Sequence, residues 1–239
     1  MGELKFEDFS ELASNKKLSP YEKIGFPDSY RQGFDKIIGE DIFDKLQVEK
    51  GATILDVGCG CSPLVNEIIA QAKSRETELI LVDSKEMLSN ISGDTNKVKM
   101  VEGMFPAIPE LFEQYKSKVD YIICYSVFHY VFIQGNYLNF IHRSIELLKP
   151  GGAMLIGDIP NITKRERFLN SEEGREFVKE YDTQSGDTSH ENVSEKMDDS
   201  IVFSILQRMR SFGVESYLLP QNKNLPMSNR REDILLVKR

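Results

Sequence analysis

The chain has 239 residues with 30 basic and 38 acidic side chains, a formal net charge of −8 with histidine neutral. This length allows one α/β domain with a substantial core. With 40% hydrophobic and 28% charged residues, the composition excludes a disordered tail. No apolar run reaches the roughly 18–20 residues that a membrane span needs. The acidic balance, without any Lys/Arg-rich block, argues against a nucleic-acid backbone as the partner.

Targeting and redox features are sparse in this sequence. The first residues carry acidic side chains and lack the apolar stretch of a signal peptide. The three cysteines include Cys59 and Cys61, one residue apart, which gives neither a disulfide framework nor a zinc site of usual spacing. We therefore expect a soluble, cytoplasmic protein without a bound metal. The oligomeric state does not follow from the sequence.

Residues 1–50 come first in the chain and are predicted to be a mainly helical cap, because they lie outside the pattern that follows. From residue 51 to 239, apolar runs of strand length alternate with helical spacing, which is typical of βαβ units and a parallel sheet. The predicted strands are Thr53–Val57, Glu78–Val82, Val98–Val101, Val119–Cys124, Ala153–Gly157, Val214–Leu219 and Asp233–Val237. Helices are predicted at Tyr137–Leu148 and Ser200–Phe212, and residues 159–199 interrupt the pattern as an insertion.

A glycine loop directly follows the first predicted strand, within the sequence ILDVGCGCS (Ile54–Ser62). Glycines there allow a tight turn with positive φ and a close approach of backbone N–H groups to a ligand. The next helix offers its N-terminal amides to an anionic group. Asp83 lies 23 residues beyond Gly60, near the spacing at which a ribose-binding acid is expected. These features fit any nucleoside cofactor.

Two departures narrow that choice of cofactor. A dinucleotide fingerprint would place its third glycine at the position of Pro63, which counts against an oxidoreductase. No Gly-Lys-Ser/Thr follows the loop, so a P-loop is excluded. A nucleotide-cofactor oxidoreductase and a binding protein that retains the fold without catalysis remain as alternatives.

The loop resembles motif I of the class I S-adenosylmethionine-dependent methyltransferases, an acid followed by three glycines at alternate positions. Here Asp56, Gly58 and Gly60 match, and Ser62 replaces the third glycine. The segments LILVDSKEML, VDYIICYSVFHYV and LLKPGGAMLIGD are similar to later family motifs in the same order. The resemblance implies a Rossmann-like three-layer sandwich with a seven-stranded, mostly parallel sheet, strand order 3-2-1-4-5-7-6 and an antiparallel last strand. It also implies S-adenosylmethionine as cofactor.

The resemblance also implies a cofactor site. Its members are Asp56, Gly58, Gly60, Ser62, Asp83, Ser84, Met87, Met104, Phe105, Tyr125 and Ser126. Within it, Asp56 is expected to take the methionine ammonium and Asp83 the ribose. Many relatives carry an aspartate for the adenine amino group where this chain has Met104. We therefore expect main-chain contacts and side-chain packing of Met104 and Phe105 at the adenine ring.

Two candidate bases and two candidate acceptor ligands lie near the same ends of the strands. His129 and Asp158 are the candidate catalytic groups, since histidine titrates near neutrality and the aspartate follows the fifth strand. Arg165 and Arg230 are candidates for binding an anionic acceptor. The predicted acceptor is a small molecule, a sugar or other anionic metabolite of bacterial glycan biosynthesis. The polar stretch 182–199 and the loop 220–231 are predicted to form a lid over it.

Overall fold

The computed structural model describes residues 4–184 and 197–239, which form one mixed sheet with helices on both faces. The strands are β1 (Thr53–Val57), β2 (Glu78–Asp83), β3 (Val98–Glu102), β4 (Val119–Tyr125), β5 (Leu148–Pro160), β6 (Val214–Pro220) and β7 (Arg231–Lys238). The helices are α1 (Phe6–Ser14), α2 (Pro20–Lys23), α3 (Asp28–Arg31), α4 (Asp35–Leu46), α5 (Pro63–Ser74), α6 (Lys85–Ser89), α7 (Pro109–Tyr115), α8 (Phe128–Gln134), α9 (Tyr137–Leu147), α10 (Ile162–Leu169), α11 (Glu172–Gln184) and α12 (Asp199–Ser211). Most of the predicted polar stretch 182–199 lies outside the described residues.

The sheet has the order β3-β2-β1-β4-β5-β7-β6. Strands β1 to β5 pair in parallel, whereas β7 runs antiparallel to both β5 and β6. The predicted fold class, strand order and antiparallel last strand are therefore confirmed. This order reverses direction between β1 and β4, and open α/β sheets bind their ligands beyond the strand ends at such a point.

Each face of the sheet is covered by an apolar cluster, because successive strand residues point to opposite faces. Ile54 of β1 packs in the cluster that includes residues of α4 and α5, whereas Leu55 packs in the cluster that includes residues of α9 and α12. Helix α4 contributes Ile38 and Ile42 to the first of these clusters. The last helix of the N-terminal 50 residues thus packs on the sheet itself, and α1–α3 (residues 6–31), called the cap helices below, precede it.

Strand β5 is longer than the sequence predicted, since it covers Leu148–Pro160 and not only Ala153–Gly157. At its start, Leu148 pairs with Val119 before the chain turns through its Pro-Gly-Gly sequence. Near its end, the register with β7 shifts between Ile156 and Ile159. Asp158, placed by the sequence just beyond the strand, lies inside this irregularity with φ of 61°.

Each helix of residues 4–184 and 197–239 is too short or too polar to cross a membrane.

Candidate functional site

A cavity of about 380 Å³ opens at the carboxyl ends of β1, β2 and β4. Its floor comes from the glycine loop and the strand ends, and its walls come from the cap helices, the β3–α7 loop and helices α8 and α9. Nine of the residues that the sequence assigns to the cofactor line it: Gly58, Gly60, Ser62, Asp83, Met87, Met104, Phe105, Tyr125 and Ser126. The fold therefore gathers these residues from four separate segments (58–62, 83–87, 104–105 and 125–126) into one space.

The glycine loop needs its glycines for two physical reasons. Gly58 and Gly60 have φ of 72° and 62°, in the left-handed region that side chains rarely adopt. A Cβ on Gly58 would lie 2.7 Å from Val127 Cγ2, and one on Gly60 would lie 2.9 Å from Ile24 Cγ2. Because Val127 and Ile24 both line the cavity, any side chain at either glycine would push into its walls.

Asp83 stands at the end of β2 with its carboxylate fixed by the backbone. Oδ2 accepts a hydrogen bond from Gly60 N at 2.8 Å, and Oδ1 accepts one from Ser84 N at 2.7 Å. Burial raises the pKa of Asp83 to about 6, although these two N–H donors oppose the rise. A carboxylate has about four acceptor positions, so two remain for a ligand in the cavity. Ser84 does not line the cavity: its hydroxyl caps α6 by accepting from Met87 N at 3.2 Å.

Asp56 lies within β1, below the glycine loop, and is 2% exposed. Its Oδ2 has no hydrogen-bond partner in the described part of the chain. Burial, together with the nearby charge of Asp83, raises the pKa of Asp56 to about 8. It does not itself line the cavity, so a direct contact with a ligand requires a small movement or a bridging water.

Asp158 belongs to a buried ion pair that the sequence did not reveal. Arg31 Nη2, from the cap helices, donates to Asp158 Oδ2 at 2.5 Å and to Ser126 Oγ at 2.6 Å, and Ser126 Oγ donates to Asp158 Oδ2 at 2.7 Å. Burial alone would raise the pKa of Asp158, but the charges of Arg31 and Arg231 outweigh it and hold the pKa below its usual range. Asp158 does not line the main cavity.

His129, the other candidate base, lies in the first turn of α8 and is 4% exposed. Its Nδ1 has no hydrogen-bond partner among the described residues, and its ring centroid lies 3.9 Å from that of Tyr130. Burial, helped by the charge of Arg231, lowers the pKa of His129 to about 3. The imidazole is therefore neutral at physiological pH, and Tyr130, not His129, faces the cavity.

The two candidate acceptor ligands lie away from the cavity. Arg165 is on α10 and Arg230 is in the loop before β7, and neither belongs to the cavity lining. That loop buries Leu225 and Met227 beside the Arg31–Asp158 pair. It contributes no residue to the cavity among the described residues, so the cavity gives no support to its predicted role as a lid.

The cap helices and the start of α4 supply cavity residues that the sequence analysis missed. Phe9 stacks edge-on against Tyr130 with ring centroids 4.9 Å apart, and both rings line the cavity. Arg31 lies 4.5 Å from the ring centroid of Phe26, and Asp35 lines the same wall. Helical spacing within the first 50 residues was visible, but no motif marked these side chains as ligands.

Within residues 4–184 and 197–239, no group of three or more His, Cys, Asp or Glu side chains is placed to hold a metal ion.

Comparison with known proteins places this geometry among methyltransferases. Residues 48–205 match the family described as "Methyltransferase domain". Cyclopropane mycolic acid synthase MmaA2 of Mycobacterium tuberculosis is 25% identical over 122 residues, which are 51% of this chain and 41% of that enzyme. The chain thus aligns with less than half of that curated relative.

Solved structures share the fold over nearly the whole chain. A protein of Methanococcus maripaludis, described as an S-adenosyl-L-methionine-dependent methyltransferase, has a TM-score of 0.59 at 19% identity, covering 100% of this chain and 96% of its own. The plantazolicin methyltransferase BpumL, solved in complex with S-adenosylhomocysteine (SAH), has a TM-score of 0.62 at 15% identity. The match covers 98% of this chain and 96% of BpumL. At these identities the likeness shows the fold.

Proposed function

This chain belongs to the methyltransferase-domain family, and we propose that its cavity binds S-adenosylmethionine beside a small, mainly apolar methyl acceptor. Dependence on S-adenosylmethionine follows from the family together with the motif and the fold. The observation that carries the proposed acceptor is the wall of the cavity, which is formed by aromatic and aliphatic side chains from the cap helices and α8.

The residues present fit the cofactor. The glycine loop forms a cradle for the cofactor, because a Cβ at Gly58 or Gly60 would press on Val127 or Ile24 in the cavity wall, whereas glycine leaves the backbone accessible to a ligand. We propose that the free acceptor positions of Asp83 bind the ribose hydroxyls and that Asp56, with its unpartnered oxygen, balances the ammonium charge. Met87, Met104 and Phe105 would pack around the adenine.

When bound, S-adenosylmethionine supplies a methyl group on a positively charged sulfur, which becomes a neutral thioether after transfer. The chain's own contribution is placement and exclusion of water. Phe9, Phe26 and Tyr130 line the wall, so an acceptor that buries apolar surface against them gains the most free energy. Neither predicted base reaches this space, because Asp158 is held in an ion pair and His129 is buried behind Tyr130. The proposed transfer therefore suits a nucleophile that needs no base on the protein, because its proton can be lost after the methylated product is released into solvent.

The expected sugar or anionic metabolite stays a prediction, as do the cytoplasmic location and the absence of a nucleic-acid partner. Arg165 and Arg230, which motivated an anionic acceptor, lie outside the cavity lining. The remaining alternative is a protein that binds S-adenosylmethionine without turnover.

A turnover assay tests the proposal. SAH formation is measured with two acceptor panels, one of small aromatic amines and phenols and the other of sugars and sugar acids. We expect turnover with the aromatic panel, and a Gly60→Ala preparation serves as the control for contaminating enzymes. Turnover with sugars alone would make the proposed acceptor class wrong. Binding of S-adenosylmethionine without turnover on any acceptor would favour the binding-only alternative.

Replacing Asp83 by alanine is expected to weaken cofactor binding by about 1.5–3 kcal/mol, the range for hydrogen bonds to a charged group. The physical reason is that its carboxylate is held in the cavity by Gly60 and Ser84 amides. Calorimetry with SAH measures the loss. Asp94→Ala removes the same charge from an exposed position and should leave affinity unchanged. Equal affinity of the folded Asp83 variant and the wild type would contradict the ribose assignment.

Cofactor binding at pH 7 is expected to release close to one proton from Asp56. The free protein holds that carboxyl protonated because its pKa is raised to about 8. A bound ammonium favours the charged form and lowers the pKa. Calorimetry of SAH binding in buffers with different ionisation enthalpies counts the protons. In Asp56→Asn, the side chain at position 56 has no proton to release. The same proton count in this variant would show that the released proton comes from another group.

A further inference from the structure

Asp35 presents a carboxylate to the cavity from the first turn of α4. The residue lines the cavity and is 9% exposed. The Tyr21 hydroxyl donates to its Oδ2 at 2.5 Å. Burial raises the pKa of Tyr21, and the hydrogen bond to Asp35 raises it further. The phenol therefore stays protonated and donates this hydrogen bond. Oδ1 makes no hydrogen bond within the described ranges. The carboxylate is thus oriented by one oxygen and has its other oxygen free.

The charge on Asp35 is not balanced by the cations around it. A largely buried network that reaches the cavity through Arg31 contains three cations and three carboxylates: Arg31, Lys45 and Arg231 with Asp41, Asp158 and Asp233. Arg31, the cation that shares the cavity wall with Asp35, is already paired with Asp158 at 2.5 Å. Within the described residues, Asp35 takes part in no ion pair. It therefore adds one negative charge to a mainly apolar cavity.

A carboxylate in such surroundings is costly to bury unless a charged or hydrogen-bonding partner reaches it. The neighbouring aromatic rings also favour positive charge, as the position of the Arg31 guanidinium over Phe26 (4.5 Å) and Tyr125 (5.5 Å) shows. Both features disfavour a carboxylate or phosphate at this wall and favour an amino group.

We infer that Asp35 is a specificity-determining residue that binds an amino group of the acceptor through Oδ1. The inference rests on the proposed function, because it requires the acceptor to occupy this cavity. We expect an acceptor with a cationic amino group on an apolar body to bind more tightly than one with a hydroxyl group in its place. An acceptor with a carboxylate in that place should bind most weakly. Tyr21 has a positioning role, since its hydroxyl fixes the carboxylate that makes the contact.

The test uses three probes with one aromatic body, namely 2-phenylethylamine, 2-phenylethanol and 3-phenylpropanoate. Their binding to the full chain saturated with SAH is measured by calorimetry at pH 7. We expect the amine to bind at least about tenfold more tightly than the other two, the scale of one charge-assisted hydrogen bond. Asp35→Asn keeps the shape and removes the charge, so the amine preference should vanish in it. Asp44→Asn, on the exposed side of the same helix, is the matched control and should retain the preference.

Each outcome tests either the proposed function or the role of Asp35. Failure of the wild type to bind SAH would overturn the proposed function itself. Normal SAH binding without an amine preference, or without binding of any probe, would overturn only the role of Asp35. A loss of affinity for S-adenosylmethionine or SAH in Asp35→Asn would assign the carboxylate to the cofactor and likewise overturn it. An amine preference that survives in Asp35→Asn would place the recognition on another residue.

Discussion

Replacing Gly58 or Gly60 by alanine is expected to reduce the affinity for S-adenosylmethionine at least about 100-fold, or about 2.7 kcal/mol. Both residues have positive φ, which costs an alanine about 1–2 kcal/mol. In addition, the new methyl group would meet Val127 at 2.7 Å or Ile24 at 2.9 Å. Both neighbours line the cavity, so their displacement narrows the space that the cofactor needs.

Gly51 separates these two effects. It has φ of 76°, similar to the loop glycines, but a Cβ there meets nothing within 4 Å. Gly51→Ala should therefore lose stability through backbone strain and keep its affinity for the cofactor. Chemical unfolding measures the first quantity and calorimetry with SAH the second. If Gly51→Ala loses affinity as the loop variants do, strain alone explains the effect, and the cradle interpretation is wrong.

The sheet could be predicted from the sequence because its central strands are mainly apolar runs of strand length, interrupted in β1 by Asp56 and in β4 by Asp120. β1 and β4 carry this pattern, and the loop after β1 carries glycines that only a tight, positive-φ turn explains. Asp83 was placed by its position at the end of β2, and the structure shows it in the cavity wall. Local pattern sufficed for these features, since the strand ends of a parallel sheet meet at one edge.

The cavity wall opposite the loop could not be predicted in this way. Arg31 lies in a four-residue helix, and its partner Asp158 is 127 residues further along the chain. The sequence showed an acidic residue after an apolar run and suggested a base, but the cation that neutralises it was not visible. His129 is a candidate from the sequence because histidine titrates near neutrality, but its burial behind Tyr130 is a tertiary property that the sequence pattern does not show. Asp35 lacked any motif.

Breaking the Arg31–Asp158 pair should destabilise the protein by about 3–5 kcal/mol, the cost of leaving one buried charge without its partner. In Arg31→Met, the Asp158 carboxylate loses its ion pair with Arg31 at 2.5 Å. The more distant Arg231, at 3.7 Å, remains. Lys50→Met is the control, because the Lys50–Glu76 pair has both side chains 70% exposed and such pairs contribute about 0–1 kcal/mol. Urea unfolding measures both variants. A loss below 1 kcal/mol in Arg31→Met would contradict a buried, tightly coupled pair.

The pH dependence of that loss identifies Asp158 as its source. In the wild type, Arg31 and Arg231 hold the pKa of Asp158 below its usual range, so the pair stabilises the fold at any pH above about 4 and fails only in stronger acid. In Arg31→Met, burial is less opposed and the pKa of Asp158 rises above the unfolded value. The folded variant then binds more protons than its unfolded chain, and its stability falls as the pH rises.

The difference in unfolding free energy between wild type and Arg31→Met should therefore be larger at pH 7 than at pH 5. It should not vary with pH in the Asp158→Asn background, where the carboxyl group is absent. If the stability difference between wild type and Arg31→Met, both with Asp158 present, does not vary with pH, Arg31 acts through its packing on Phe26 and Tyr125 and not through its charge.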